Sequence, residues 1–339
     1  MRGEQGDSAV PAAYAGAVSN LEKDPVEEVS TASSGDGVTI LEPRDVPLGG
    51  PRAMTVRRTL PQRSRSLIGA WCFIDHYGPD LVEDRGGMVV PPHPHTGLQT
   101  VSWLFAGEIE HRDSVGSHAP VRPGELNLMT AGSGIAHSEV STPSTTVLHG
   151  AQLWVALPDP ARHGSPAFES YVPQPFAHGA ATVRVFIGEL AGVASGATVF
   201  TRLLGAQVDL PAGASVTFEV DEGFEHGVLV DAGDVTVDEH AVPVSHLGYV
   251  PLGRSALTIA TGALPARVLL LGGQPLGERI VMWWNFIGRS HQEIVDYRDA
   301  WQREVIEGGD PQGRFGTVDY DGRALPAPEL PNVRLSPRG

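Results

Sequence analysis

The sequence predicts an all-β protein made of two β-rich halves, and three observations carry that prediction. From Val38 onward, short apolar runs alternate with Gly, Pro, Asp and Asn. The 41 glycines and 28 prolines supply turns for many short strands. At 339 residues the chain is longer than most single cores can fill, so two domains are expected.

Taken in order, residues 1–38 are rich in Ala, Ser and acidic residues with little apolar pattern, and are expected to be disordered. The next unit, 39–160, holds strand candidates Ser66–Ile74, Gln99–Phe105, Leu126–Thr130 and His149–Leu157, rich in β-branched and aromatic residues. It ends at Pro158-Asp159-Pro160, which cannot continue a ladder. The unit 161–288 holds Thr182–Gly188, Val199–Leu210, Ser215–Val220, Gly227–Val230, Val235–Val237 and Arg267–Leu271. Similar length and strand density suggest a tandem duplication, although no strong sequence repeat is visible. The last unit, 289–339, opens with the one clear helix, Ser290–Trp301. Ser290 and Glu293 have capping-box spacing, and Ile294, Tyr297 and Trp301 share a face. An extended strap follows Gly308, and the aromatic run Trp283-Trp284-Asn285-Phe286 is expected to pack between the domains.

Composition narrows the function. A formal net charge of −16 disfavours a nucleic-acid surface. Arg57, Arg58, Arg63 and Arg65 form the one basic cluster and are expected on a solvated, salt-bridged surface. The single Cys72 forbids an intramolecular disulfide or a cysteine-rich zinc site, and its apolar neighbours mark it as core. No signal-like or membrane-spanning run is present, which points to a soluble, cytoplasmic protein.

Two pairs stand out chemically: His93-Pro94-His95 and His137-Ser138-Glu139. Residues two apart on a strand project from one face. If both strands face one cavity, three imidazoles and a carboxylate converge, the donor set of a mononuclear transition-metal site. The turn Ala131-Gly132-Ser133-Gly134 would bend the chain sharply ahead of His137. His111, His118, His149 and His163 lack such a pattern and read as surface or hydrogen-bonded residues. His226, His240 and His246 are scattered, so the second half is expected to be metal-free.

These residues carry a resemblance. Pro92-His93-Pro94-His95-Thr96-Gly97-Leu98-Gln99-Thr100-Val101-Ser102-Trp103 resembles the first cupin motif as found in pirins, and Met129–Glu139 resembles the second. His149–Val155 and Gly273–Glu278 are also similar to pirin segments, in the right order, so the resemblance covers about residues 40–335. It implies two tandem cupin (jelly-roll) β-barrels, with one metal in the N-terminal barrel bound by His93, His95, His137 and Glu139. Iron(II) is the ion the family implies; Zn, Ni, Mn or Cu would suit the same donors. Many pirins carry glutamate where this chain has Gln99, a change expected to spare the metal and to alter hydrogen bonding around the site.

The resemblance also implies a choice of functions, because a fold does not fix an activity. Some pirins resemble flavonol 2,4-dioxygenases, which cleave quercetin with O2. Three nitrogens and one oxygen on an octahedral ion leave two adjacent positions, one for a flavonol oxygen and one for dioxygen. Glu139 would accept the flavonol proton. Trp103, Leu128, Met129 and Trp154 are candidate wall residues, with core packing as the alternative for each. The competing reading is an iron-dependent redox sensor acting through a protein partner, without direct nucleic-acid or membrane contact. A zinc or nickel cupin with isomerase or hydrolase chemistry is a third.

Overall fold

The computed structural model describes residues 37–48 and 54–337, so nearly all of the expected N-terminal tail lies outside it. The described chain is strand-rich, as expected. It begins with β1 (Thr39–Leu41), β2 (Arg44–Leu48), β3 (Met54–Leu60), β4 (Trp71–Leu81), β5 (Val89–His95) and β6 (Leu98–Ala106). Then come β7 (Ile109–Asp113), β8 (His118–Val121), β9 (Leu126–Thr130), β10 (Ile135–Ser141), β11 (Val147–Ala156) and β12 (Ala167–Tyr171). The first barrel closes a seven-stranded sheet, β12-β9-β6-β11-β4-β3-β2, over a four-stranded sheet, β5-β10-β7-β8.

The second barrel repeats this plan. Its strands are β13 (Phe176–His178), β14 (Ala181–Ile187), the small hairpin β15 (Glu189–Leu190) and β16 (Val193–Ala194), β17 (Leu203–Leu210) and β18 (Ser215–Glu219). They continue with β19 (Glu225–Ala232), β20 (Val235–Val237), β21 (His240–Val242), β22 (Leu247–Val250), β23 (Ala256–Thr261) and β24 (Ala266–Gly273). The sheets are β1-β22-β19-β24-β17-β14-β13 and β18-β23-β20-β21. Strand membership crosses the sequence divisions at both ends: β1 pairs with β22 of the second barrel, and β12 pairs with β9 of the first.

The two large sheets pack against each other. Trp71, Val101, Trp103, Leu128, Ala151 and Leu153 meet Phe186, Leu203, Leu229, Leu269 and Leu271 in one buried cluster. Because strands alternate faces, the same strands send Ser102 and Gln152 into the first barrel. At the seam Gly69 (φ 56°) lies so close to the facing backbone that a Cβ there would sit 2.6 Å from Gly273 Cα. This left-handed glycine also ends the predicted run from Ser66, and the strand proper begins at Trp71. Val199–Leu210 is shortened likewise, to Leu203–Leu210.

The basic cluster only partly forms the surface patch expected from sequence: Arg63 is exposed and Arg57 half-buried, but Arg58 and Arg65 are buried. Arg58 is 1% exposed, forms a bidentate pair with Asp75 at 2.7 Å and lies 4.2 Å over the Phe73 ring. Arg65 is also buried, stacks 3.5 Å over Tyr249 and reaches Glu225 Oε1 at 3.1 Å, joining the barrels. Burial is tolerated because each guanidinium gains a carboxylate and an aromatic face. Cys72 is buried core, and burial pushes its thiol above its usual range.

The C-terminal unit returns to the first barrel. The hairpin β25 (Val281–Trp283) and β26 (Phe286–Gly288) precedes helix His291–Trp301. Ser290 is the N-cap, its Oγ accepting from Glu293 N–H at 3.2 Å. Glu293 reaches back to Arg289 N–H at 2.5 Å, one residue beyond the expected box partner, Ser290. Ile294, Tyr297, Ala300 and Trp301 are buried, and the helix runs on into a π-helical stretch, Gln302–Ile306. A short helix, Val82–Arg85, had no sequence signal. Trp283, Trp284 and Phe286 pack with this helix, the strap and Ala136 of the first barrel. The expected place between the domains is therefore corrected: the run caps one barrel and lies away from the seam. The strap crosses β5, with Leu325 N–H donating to Pro92 O at 2.8 Å. No helix of the described residues is long and apolar enough to cross a membrane.

Candidate metal centre

The first barrel's small sheet builds the site. β5 and β10 run antiparallel with His137 directly opposite His93, and a register shift between His137 and Glu139 places Glu139 opposite Val90. A bulge of this kind re-aims side chains at a barrel rim. His93, His95 and His137 are each no more than 4% exposed. Ring nitrogens of the three lie within 4.8 Å of one another, and His95 Nε2 is 3.1 Å from His137 Nε2.

Each imidazole has its other nitrogen occupied. His93 Nδ1 lies 2.9 Å from Pro91 O and His95 Nδ1 3.2 Å from Asn285 O. His137 Nδ1 is 3.4 Å from His111 Nδ1, and His111 Nε2 is 3.1 Å from Asp113 Oδ2. Asp113 Oδ1 is anchored by the N–H groups of Val115 and Ser117. A consistent proton assignment follows: Asp113 accepts from His111 Nε2, His111 accepts from His137 Nδ1, and His137 Nε2 offers a lone pair to the cavity. Burial, reinforced by neighbouring imidazoles, pushes His95 and His137 well below the usual histidine range, and His93 down to about 4. All three are neutral at pH 7, the protonation state a metal ligand needs.

Glu139 stands slightly apart. It groups with His137 and His111 rather than with all three histidines, and accepts from Ser102 Oγ at 3.0 Å. Burial pushes its carboxyl up, against the pull of His111 and the Ser102 hydroxyl. The three histidines, with this carboxylate in the same cavity, fit a divalent transition metal. Their nitrogens already converge while every opposite ring edge is tied.

The cavity itself is about 30 Å3. One water takes roughly 10–15 Å3 on the same measure, so an ion and one or two small ligands fill it. Phe73, Asp75, Met88, Val90, Gln152, Trp154 and Asn285 complete its wall. Phe73 and Trp154 close one side as a stack 4.0 Å apart. Of the four proposed wall residues only Trp154 lines the cavity. Trp103 and Leu128 face the seam, and Met129 packs with Ile135 and Ile287. Gln99 does not line the cavity; its amide donates to Thr130 Oγ1 and Thr198 O.

Sequence reading missed His111, Asp113, Ser102 and Asn285. For the first two a signal was present: His111 and Asp113 are two apart on β7, the same spacing that marked the ligand pairs. β7 pairs with β10 so that Asp113 faces His137 and His111 faces Glu139. His118 is exposed on Glu110 and His163 is exposed, as expected, whereas His149 is buried at the barrel seam.

Comparison with known proteins agrees with this architecture. The Pirin family model matches residues 53–155, and the Pirin C-terminal cupin domain model matches residues 205–307. A Pseudomonas aeruginosa protein with the provisional name quercetin 2,3-dioxygenase PA1205 is 43% identical over 290 residues, covering 85% of this chain and 89% of that protein. Human pirin is 30% identical over 223 residues, 62% of this chain and 76% of its own. The crystal structure of a quercetin 2,3-dioxygenase from Acinetobacter baumannii superposes with a TM-score of 0.81 at 35% identity, covering 88% of this chain and 98% of that one. With both halves matched in order and a relative this similar along most of its length, the chain belongs to the pirin family and is a bicupin.

Proposed function

We propose that this chain is an iron(II)-dependent dioxygenase of the flavonol 2,4-cleaving type, with His93, His95, His137 and Glu139 as metal ligands. The observation that carries the reading is the convergence of three neutral histidine nitrogens, each ring tied on its far side, beside a buried carboxylate in one small cavity. The names of the Pseudomonas and Acinetobacter relatives support the substrate class. The metal, when bound, supplies Lewis acidity and redox chemistry toward dioxygen at the positions the protein ligands leave free.

The chain's own residues do the rest. Glu139, held by Ser102 and raised by burial, is poised to take the flavonol hydroxyl proton on its free oxygen. His111, with an imidazole nitrogen within 4.8 Å of that carboxylate, and Asp113 behind it hold the neighbouring His137 in the tautomer that leaves Nε2 free for the cavity. Trp154, stacked on Phe73 at the cavity wall, offers a flavonol ring an aromatic face only once that stack opens, because Arg58 covers the other face of Phe73. A drug-sized ligand occupies roughly 300 Å3 or more, so that stack and Met88 must swing aside to admit it.

The small cavity favours a second reading, an iron-dependent redox sensor read by a protein partner, because an ion with small ligands fits without rearrangement. Oxygen uptake by Fe(II)-loaded protein given quercetin separates the two. The dioxygenase reading requires uptake together with loss of flavonol absorbance, and absence of both in His95→Ala. Stoichiometric iron without uptake moves the assignment to the sensor.

A further inference from the structure

A second cluster lies 17 residues before the first ligand and across the seam. His76 on β4 and His149 on β11 come from the first barrel, and Asp231 on β19 from the second. All three are buried, and one donor atom from each falls within 4.8 Å of the others. His76 Nε2 is 2.7 Å and His149 Nε2 is 2.5 Å from the same oxygen, Asp231 Oδ1. From this geometry we infer a second divalent-cation site between the barrels, with zinc-class chemistry, ligated by His76 Nε2, His149 Nε2 and Asp231 Oδ1.

Three independent features support a ligand here. First, His149 Nε2 is buried and has no hydrogen-bond partner despite its closeness to Asp231. His149 Nε2, this near a carboxylate oxygen yet off the hydrogen-bond axis, keeps a lone pair for an ion that Asp231 would share; His76 Nε2 instead hydrogen-bonds Asp231 Oδ1 at 2.7 Å, a bond that an ion would replace. Second, both His149 and Asp231 sit at register shifts. β11 slips against β4 between Leu148 and Gly150, and β19 slips against β24 between Val230 and Ala232. Two bulges on opposite barrels therefore re-aim two side chains at one point. Third, the outer contacts are those of a metal site. Ser245 Oγ lies 3.2 Å from His76 Nδ1, and Arg267 Nε donates to Asp231 Oδ2 at 2.7 Å. Burial pushes His76 below the usual histidine range, while the His149, His76 and Arg267 contacts outweigh burial and hold Asp231 below the usual carboxylate range.

Two cationic groups face the cluster. Arg267, stacked 4.3 Å from Phe105, competes for the carboxylate, and Arg57 acts on His76. They weaken the site relative to the first centre without removing its donors. A tetrahedral ion with bonds of 2.0–2.1 Å separates its ligands by about 3.3 Å, so binding moves Asp231 Oδ1 less than about 1 Å farther from either histidine nitrogen. Ligation from both barrels would clamp them in their present relation.

The test uses the untagged full chain in a His93→Ala/His95→Ala background, which disables the first centre, stripped with chelator and titrated with Zn(II) and Co(II). One ion per chain is expected, with visible Co(II) bands of a low-coordinate nitrogen/oxygen site. Adding His149→Ala should weaken binding at least 100-fold, and Arg267→Met should tighten it. No ion bound in the background, or binding unaffected by His149→Ala, would overturn the site. Should the background fold poorly, the native chain gives the same answer: two Zn(II) per chain falling to one in His149→Ala supports the site, and an unchanged count refutes it.

Discussion

The two barrels share a plan and differ in what fills them. In the second, inward positions are aliphatic or aromatic: Val183, Val185, Ala206, Val208, Phe218, Val228, Val230, Ile259 and Leu270 make a solid core. In the first, equivalent space around β5, β10 and the inward faces of β6 and β11 holds three histidines, Glu139, Ser102 and Gln152. Duplicated scaffolds can thus divide labour, one half packed for stability and the other giving up packing for a polar cavity. The second barrel keeps one inward histidine, His226, fully buried with neither ring nitrogen partnered. It shows what an imidazole does in such a core without a ligand set: burial pushes it down to about 4.

Three experiments press on that contrast. The largest effect should come from Leu270→Ala, a cavity in the filled barrel costing about 2–5 kcal/mol. Denaturant unfolding should register that loss while metal analysis of the native variant shows the first centre still loaded. Loss of metal at equal folded fraction would mean the barrels are not divided in this way.

Next is His226→Leu. Its folded-state pKa lies below the unfolded value, so between pH 6.5 and 4 the unfolded chain binds the extra proton. Stability from this group is therefore complete above about pH 6.5 and is lost as pH falls toward 4, by about 3 kcal/mol. The leucine variant should flatten the acid limb of stability against pH by one proton's worth; an unchanged slope would show that His226 is not buried neutral.

The smallest effect concerns the polar barrel alone. His111→Gln removes the imidazole that touches His137 Nδ1, and losing a partner that orients a ligand typically weakens metal binding about 10–100-fold. Competition with a chelator of known affinity measures it, and equal affinity would reduce the Asp113–His111–His137 chain to packing.

How much of this was legible in the sequence depended on whether the information was local. The period-two rule put His93 with His95 and His137 with Glu139, and the antiparallel register of β5 and β10 brought the pairs together. Capping chemistry located the helix at Ser290 for the same reason: its signals sit within four residues. Arg58 and Arg65 were misjudged because a run of arginines resembles a solvated surface until their partners, Asp75 and Glu225, arrive from 17 and 160 residues away. His149 had no local pattern at all; its neighbours His76 and Asp231 come from another strand and another barrel. The aromatic run at Trp283 signalled burial correctly, but nothing local could say which face it would cover.

The first described strand carries a consequence for biosynthesis. Ile40 of β1 pairs with Gly248 of β22, so β1 waits on the ribosome for a partner made about two hundred residues later. At roughly 5–20 residues per second, the first barrel's strands all emerge during that interval. The second barrel's edge is then finished by the oldest described part of the chain, a long-range closure that slows the last folding step. Severing the chain at Pro158-Asp159-Pro160 would leave that edge open on one fragment and β1 stranded on the other, so the halves should recover native structure only when both are present.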